Sequence, residues 1–292
     1  MLKENFLDYL QFEKNYSDAT IAAYRRDLDQ FADFIQVIDE DELGKVTSEP
    51  IRDWVVSLMD EGYTSTSVNR KLSTLRSFYR YLYSKGVVEV DPMCRIAGPK
   101  NKKPLPAFVK ESEMESLLDN FSGEDPFETC RDRLIIEMFY ETGIRLSELI
   151  GLDQRDVDFS LQVIKVLGKR NKQRLIPFGE ELANDMQEYL AQRDTLVDVD
   201  SDAFFVKKDG KRVYRSQVYN IVKNNLSKVT TLKKKSPHVL RHTFATVLLN
   251  NDAALGTVKE LLGHASLATT EIYTHTTFEE LKKIYNQAHP RA

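Results

Sequence analysis

The sequence is short of cysteine. Only Cys94 and Cys130 occur in 292 residues, and neither has a Cys or His neighbour in a metal-binding pattern. Two such thiols form neither a disulfide scaffold nor a thiolate metal site, and they suit a reducing cytoplasm. Long apolar runs are also missing. No stretch reaches the roughly 18 apolar residues of a membrane-spanning helix, which excludes such a span. The opening "MLKENFLDYLQFEKN" interleaves Glu4, Asp8 and Glu13 with apolar positions, as an amphipathic helix does and a signal peptide does not. Histidine is absent before position 238, and all five histidines fall at or after it. There is no internal repeat and no low-complexity segment.

At 292 residues, with 41% hydrophobic and 10% aromatic residues, the chain is long and apolar enough for two domains with real cores. Its net charge of −4 is unevenly spread. Residues 1–100 carry 13 basic and 17 acidic side chains, residues 101–200 carry 13 and 21, and residues 201–292 carry 15 and 7. A basic, histidine-bearing end on an acidic chain points to a local polyanion site rather than to a generally basic surface.

The first hundred residues read as helices. In 17–36, Ser17 and Asp18 offer N-caps, and Ile21, Tyr24, Leu28, Phe31 and Ile35 recur at three- and four-residue steps. Residues 47–62 begin with cap-rich residues and Pro50 and stop at Gly62. Residues 65–86 place Val68, Leu72, Leu75, Tyr79 and Leu82 on one face and end at Gly86, with Arg70, Arg76 and Arg80 largely off that stripe. "AGPKNKKPLP" then marks a basic linker. The expected organisation is a helical domain over 1–98, a linker over 99–106, and a second domain over 107–292 with a tail at 276–292. The second domain is again mainly helical, at 180–195, at 215–228 and from Ser236 onward. Two β-branched runs around "GKRNK" in 163–179 predict a hairpin.

Four elements carry the polar residues of interest. "YETGIRLSELIGL" sets Arg145 just after a Thr-Gly break, and "GKRNK" puts Lys169 at the hairpin tip. In "SPHVLRHTFATVLLN", Ser236 and Pro237 open a helix. His238 and Arg241 then share a face at its start, while Leu240, Phe244, Val247 and Leu248 form the buried stripe. "LLGHASLATTEIYTH" holds His264 and Tyr273. The spacing of His238 and His242 can bind zinc, yet no metalloprotease Glu lies between them and no further ligand cluster follows, so a metal is not expected. Two arginines can fork onto phosphate oxygens, and a histidine at a helix N-terminus adds a donor. A lysine can protonate a leaving oxygen. A tyrosine, with a pKa of about 10 in water, is made a usable nucleophile by cations that favour its phenolate. The set suits transesterification of a phosphodiester through a phosphotyrosine.

"TGIRLSEL", "GKRNKQRLIP", "HVLRHTFAT" and "LLGHASLATTEIYTH" stand in the order of the tyrosine recombinase (lambda-integrase) family, which this chain resembles over nearly its whole length. The length and the ending "YNQAHPRA" look most like its Xer branch. The resemblance implies a mainly α fold with a small β-sheet. A SAM-like helical core-binding domain and an α+β catalytic domain would form a C-shaped clamp on double-stranded DNA. It implies Arg145 and Arg241 as the two arginines, Lys169 as general acid to the 5′ oxygen, His238 and His264 as the two histidine positions, and Tyr273 as nucleophile. Arg170 departs from the glycine frequent in the family. No metal, ATP or other cofactor is implied. The implied setting is the cytoplasm. The implied assembly is a tetramer, of one recombinase or with a second, in which the 276–292 tail docks on a neighbour; a DNA translocase is a further implied partner. The implied role is chromosome dimer resolution. Integration of a mobile element by the same chemistry is the first alternative, and a non-catalytic DNA-binding protein the second.

Overall fold

The computed structural model describes residues 1–37, 39–101, 107–168, 173–196, 201–263 and 275–291. The chain divides into two compact units, Met1–Pro104 and Leu105–Ala292.

Every element among the first unit's described residues is helical. Helix α1 (Leu2–Asp8) runs into a π-turn at Tyr9–Glu13, followed by α2 (Asp18–Phe34), a 3₁₀ turn (Glu40–Lys45), α3 (Ser48–Asp60) and α4 (Ser65–Ser84). Val68, Leu72, Leu75, Tyr79 and Leu82 on α4 are fully buried and meet Phe6, Leu28, Phe31, Ile51 and Trp54. The three- and four-residue steps that form the helix thus also aim its apolar face at one core. Gly62 and Gly86, at φ +84 and +69, end α3 and α4 in the left-handed region where a Cβ would be strained. Arg70, off the apolar stripe of α4, keeps its side chain half-exposed and forks onto Asp27 of α2, whose carboxylate is fully buried and also accepts from Lys71 and Thr74. That partner lies too far away in sequence for helical periodicity to show it.

In the second unit, α5 (Glu111–Asp119) and α6 (Pro126–Thr142) precede the short α7 (Leu146–Ile150). A three-stranded antiparallel sheet follows, with order β1 (Val157–Asp158), β2 (Val163–Leu167), β3 (Gln173–Pro177). The expected hairpin is β2–β3, in register from Val163 opposite Pro177 to Leu167 opposite Gln173; β1 was too short to be legible in the sequence. Helices α8 (Glu180–Arg193), α9 (Arg215–Val229), α10 (Pro237–Asn250), α11 (Leu255–Leu261) and α12 (His275–Ala288) complete the unit. Its core joins Ile135, Phe139, Leu149, Ile164, Ile176, Tyr189, Phe204, Val222 and Leu240.

A smaller cluster gathers Phe244, Leu248, Leu261 and Leu262 with Leu281, Tyr285 and Ala288 of α12. The resemblance implied a tail docked on a neighbouring protomer. In the single chain, the described part of the tail packs on its own unit, because α10 and α11 present a groove that buries Tyr285 completely. His289 stacks on Tyr285 at 5.5 Å, and Arg291 reaches Glu181 at 2.9 Å, Glu137 at 3.5 Å and Glu141 at 3.6 Å.

Candidate active site

Gly143 ends α6 in a left-handed turn at φ +58. A Cβ there would lie 2.5 Å from Phe244 Cδ1, so the backbone conformation and the packing both require glycine. The turn places Arg145 as the N-cap of α7 with an extended backbone (φ −80, ψ 149). Glu148, one turn on, closes the cap: its carboxylate accepts from the Arg145 backbone N–H at 2.9 Å and from Arg145 Nη1 at 2.8 Å.

Arg174 enters from β3. It shares the inward phase of its strand with Ile176 and is buried. Its two Nη atoms fork onto Glu148 at 2.6 and 2.9 Å. Burial alone would raise the Glu148 pKa, but the fork from Arg174 and the bonds from Arg145 hold it down at about 2. Glu148 is therefore a carboxylate at any physiological pH.

Arg241 comes from α10. Ser236 is the N-cap and Pro237 the first helical residue, as the sequence indicated, but the Ser236 hydroxyl makes no cap bond. His238 is exposed on the first turn, while Arg241 is buried one turn later. Arg241 Nη1 donates to the Gly143 carbonyl and Nη2 to the Leu262 carbonyl. Burial first, then the nearby charges of Arg145 and Arg174, push its pKa down to about 9, which leaves it charged near neutral pH. Partial desolvation, followed by Lys234, Arg241 and two further arginines, lowers the pKa of His238. The site is therefore short of negative charge.

The three guanidinium groups meet at the C-terminal end of α11. Arg145 Nη2 donates to the Leu262 and Gly263 carbonyls at 3.1 and 2.9 Å, Arg174 Nε donates to Leu261 at 3.3 Å, and Arg241 donates to Leu262. A helix C-terminus leaves carbonyls without partners and carries partial negative charge, so cations suit it. Of the six residues singled out in the sequence, the structure gathers Arg145 and Arg241 on one carbonyl and sets His238 within the field of both. Lys169, His264 and Tyr273 lie outside the described residues. His264 is the next residue in the chain after Gly263. His242, spaced for zinc with His238, is half-buried, and among the described residues no group of three or more His, Cys, Asp or Glu side chains is arranged to hold a metal ion.

Sequence reasoning missed Glu148 and Arg174. The one available signal was a charged residue in phase with the buried Ile176 on a short strand.

Comparison with known proteins identifies the family. The Phage integrase family matches residues 107–280, and the phage integrase N-terminal SAM-like domain matches residues 4–86. The chain is 40% identical to tyrosine recombinase XerC of Thermodesulfovibrio yellowstonii, across 98% of this chain and 95% of that protein. It is also 40% identical to tyrosine recombinase XerC of Listeria innocua, across 100% and 98%. The fold is similar to that of the XerH site-specific recombinase bound to its difH substrate, with a TM-score of 0.73, 22% identity and coverage of 96% of this chain and 83% of that one. Family matches in both halves of the chain and relatives this similar along its whole length lead to one conclusion: the chain belongs to the phage integrase family and is a site-specific tyrosine recombinase.

Proposed function

We propose that this chain cleaves and rejoins double-stranded DNA through a 3′-phosphotyrosine and a Holliday junction, and that it resolves chromosome dimers in the cytoplasm. The observation that carries this reading is the convergence of Arg145, Arg174 and Arg241 on the carbonyls of Leu261, Leu262 and Gly263, immediately before His264 in the chain. A phosphate held by Arg145 and Arg241 would sit at the turn formed by Leu262 and Gly263, the residues that precede His264 in the chain. The Tyr273 phenol gives its proton to water and its oxygen attacks phosphorus. The bond from phosphorus to the 5′ oxygen breaks, Lys169 gives that oxygen a proton, and His238 and His264 hold the phosphate oxygens. Each step has a donor that is charged or polarised before the reaction begins, which is how such sites lower a barrier.

In this reading residues 1–98 form the core-binding domain, 99–106 a basic strap, and 107–292 the catalytic domain, the two domains closing around the duplex. Two cleavages at a time, in a tetramer of this chain or of this chain with a second recombinase, exchange the strands; a DNA translocase is the natural trigger. The XerC names of the full-length relatives favour chromosome maintenance over integration of a mobile element.

The test starts from DNA that stays covalently attached to the protein in cells. Its sequence gives the recombination site. On a nicked duplex carrying that site, the unsubstituted chain forms a protein–DNA adduct, while Tyr273→Phe binds the duplex and forms none. An adduct that persists in Tyr273→Phe removes the assignment.

A further inference from the structure

We infer that Arg174 is a positioning residue for strand cleavage, and that it gives the site the second unit of net positive charge that the transition state requires. The inference rests on the phosphotyrosine reading above.

The argument begins with a count. Arg145, Arg174 and Arg241 form one bonded network in which, among the described residues, Glu148 is the only carboxylate. Three guanidinium groups against one carboxylate leave a surplus of two positive charges. A phosphodiester carries one negative charge. When a tyrosine phenolate adds to it, the pentacoordinate phosphorus group carries two. The surplus therefore matches the transition state better than the bound substrate, and binding of that kind accelerates the chemical step.

Arg174 decides the count. Without it, Glu148 would be free to neutralise Arg145 alone, and the surplus would fall to one. With it, Glu148 Oε1 is shared between Arg145 Nη1 at 2.8 Å and Arg174 Nη1 at 2.6 Å. The Arg145 guanidinium is held in place but is only partly neutralised. Arg174 makes no approach to substrate itself, since it is 6% exposed and its three donor nitrogens are committed to Glu148 and the Leu261 carbonyl. It also packs under the turn that precedes His264. Gly263 stands at φ +60, and a Cβ there would lie 2.8 Å from Arg174 Cδ. One side chain thus links β3, the cap of α7 and the end of α11.

The experiment compares two linkages at the scissile position of the nicked duplex: the natural phosphodiester, and a methylphosphonate whose transition state carries one negative charge fewer. Arg174→Gln should bind the natural duplex within about threefold of the unsubstituted chain and form the adduct on the order of 10²–10³ times more slowly. On the methylphosphonate its deficit should fall below about tenfold, because the missing charge is no longer called for. Arg174→Lys keeps the charge but loses the fork onto Glu148, so it should lose less than Arg174→Gln on the diester and show the same deficit, within about threefold, on both linkages. Equal deficits of Arg174→Gln on the two linkages would reduce Arg174 to a brace of the fold. If thermal melting shows that Arg174→Gln does not fold, Arg174→Lys decides alone: a deficit of about 10² or more confined to the diester overturns the inference. If the unsubstituted chain forms no adduct, the functional reading fails and this inference with it. If it forms one and only the Arg174 pattern is wrong, the inference alone fails.

Discussion

Asp27 in the first unit and Glu148 in the second are both buried carboxylates held under cations, to different ends. In the first, Asp27 of α2 accepts from Arg70, Lys71 and Thr74 of α4, and these bonds outweigh the burial that would otherwise raise its pKa, so the net shift is downward. The Arg70 side chain is 52% exposed, so water solvates the surplus charge. In the second, Glu148 faces Arg145 and Arg174, and Arg241 completes the cluster; the Arg174 side chain is 6% exposed and Arg241 8%. There Arg145 is a quarter exposed and Arg241 is buried, and the surplus charge rests on chain carbonyls. The same residue types thus tie two helices together in one place and hold unspent charge for an anion in the other. The difference lies in which partner is buried.

The largest effect should come from breaking the first network. Asp27→Ala leaves Lys71 buried without its carboxylate, which should cost about 3–5 kcal/mol of stability. Arg70→Ala, which removes the half-exposed partner, should cost no more than about 1 kcal/mol. Urea denaturation of the two variants measures both, and equal losses would contradict the division of labour between them. The second network should respond in rate rather than in stability. Arg241→Lys loses the fork onto Gly143 and Leu262 but keeps its charge. Adduct formation on the nicked duplex should slow by about 10²–10³, near 3–4 kcal/mol in the barrier. The melting temperature should move by only a few degrees. A variant that unfolds while its folded fraction cleaves normally would place Arg241 in structure alone.

The smallest effect concerns the docked tail. Burial, more than the neighbouring Arg291 charge, pushes the His289 pKa down to about 4. In the unfolded chain the imidazole takes up a proton near pH 6.5, while in the folded chain it resists until about 4. Its contribution to stability is therefore complete above pH 6.5 and is lost as pH falls toward 4. At pH 5 the loss amounts to about 2 kcal/mol relative to pH 7. His289→Phe keeps a ring against Tyr285 and has no proton to take up. The difference between variant and parent should therefore grow by that amount, while Glu137 and Glu141, common to both, cancel. Parallel pH profiles would show that His289 is not buried neutral.

Much of this could be read one residue at a time. The α4 stripe, the β2–β3 hairpin and the helix starting at Ser236–Pro237 are local, because side chains three or four apart on a helix, or two apart on a strand, share a face whatever surrounds them. The motif arginines Arg145 and Arg241 stood out because each follows a helix-start signal. Glu148 and Arg174 did not, because their value lies in a pairing across 26 residues. Nor did Asp27, which reads as one more charge on α2 until α4 is laid against it. The tail was legible as part of the helical stretch from Ser236 onward, whereas its seat was not, since local pattern does not say what covers a helix.

The sequence by itself determined the helices, the hairpin, the late concentration of positive charge and the residues able to handle a phosphate, because periodicity, capping and residue chemistry act over a few positions. Only the tertiary structure decided which charges are spent on the protein and which remain available. Burial fixes the strength of each pair, and burial is known only when α6, β3, α10 and α11 are brought to a common point.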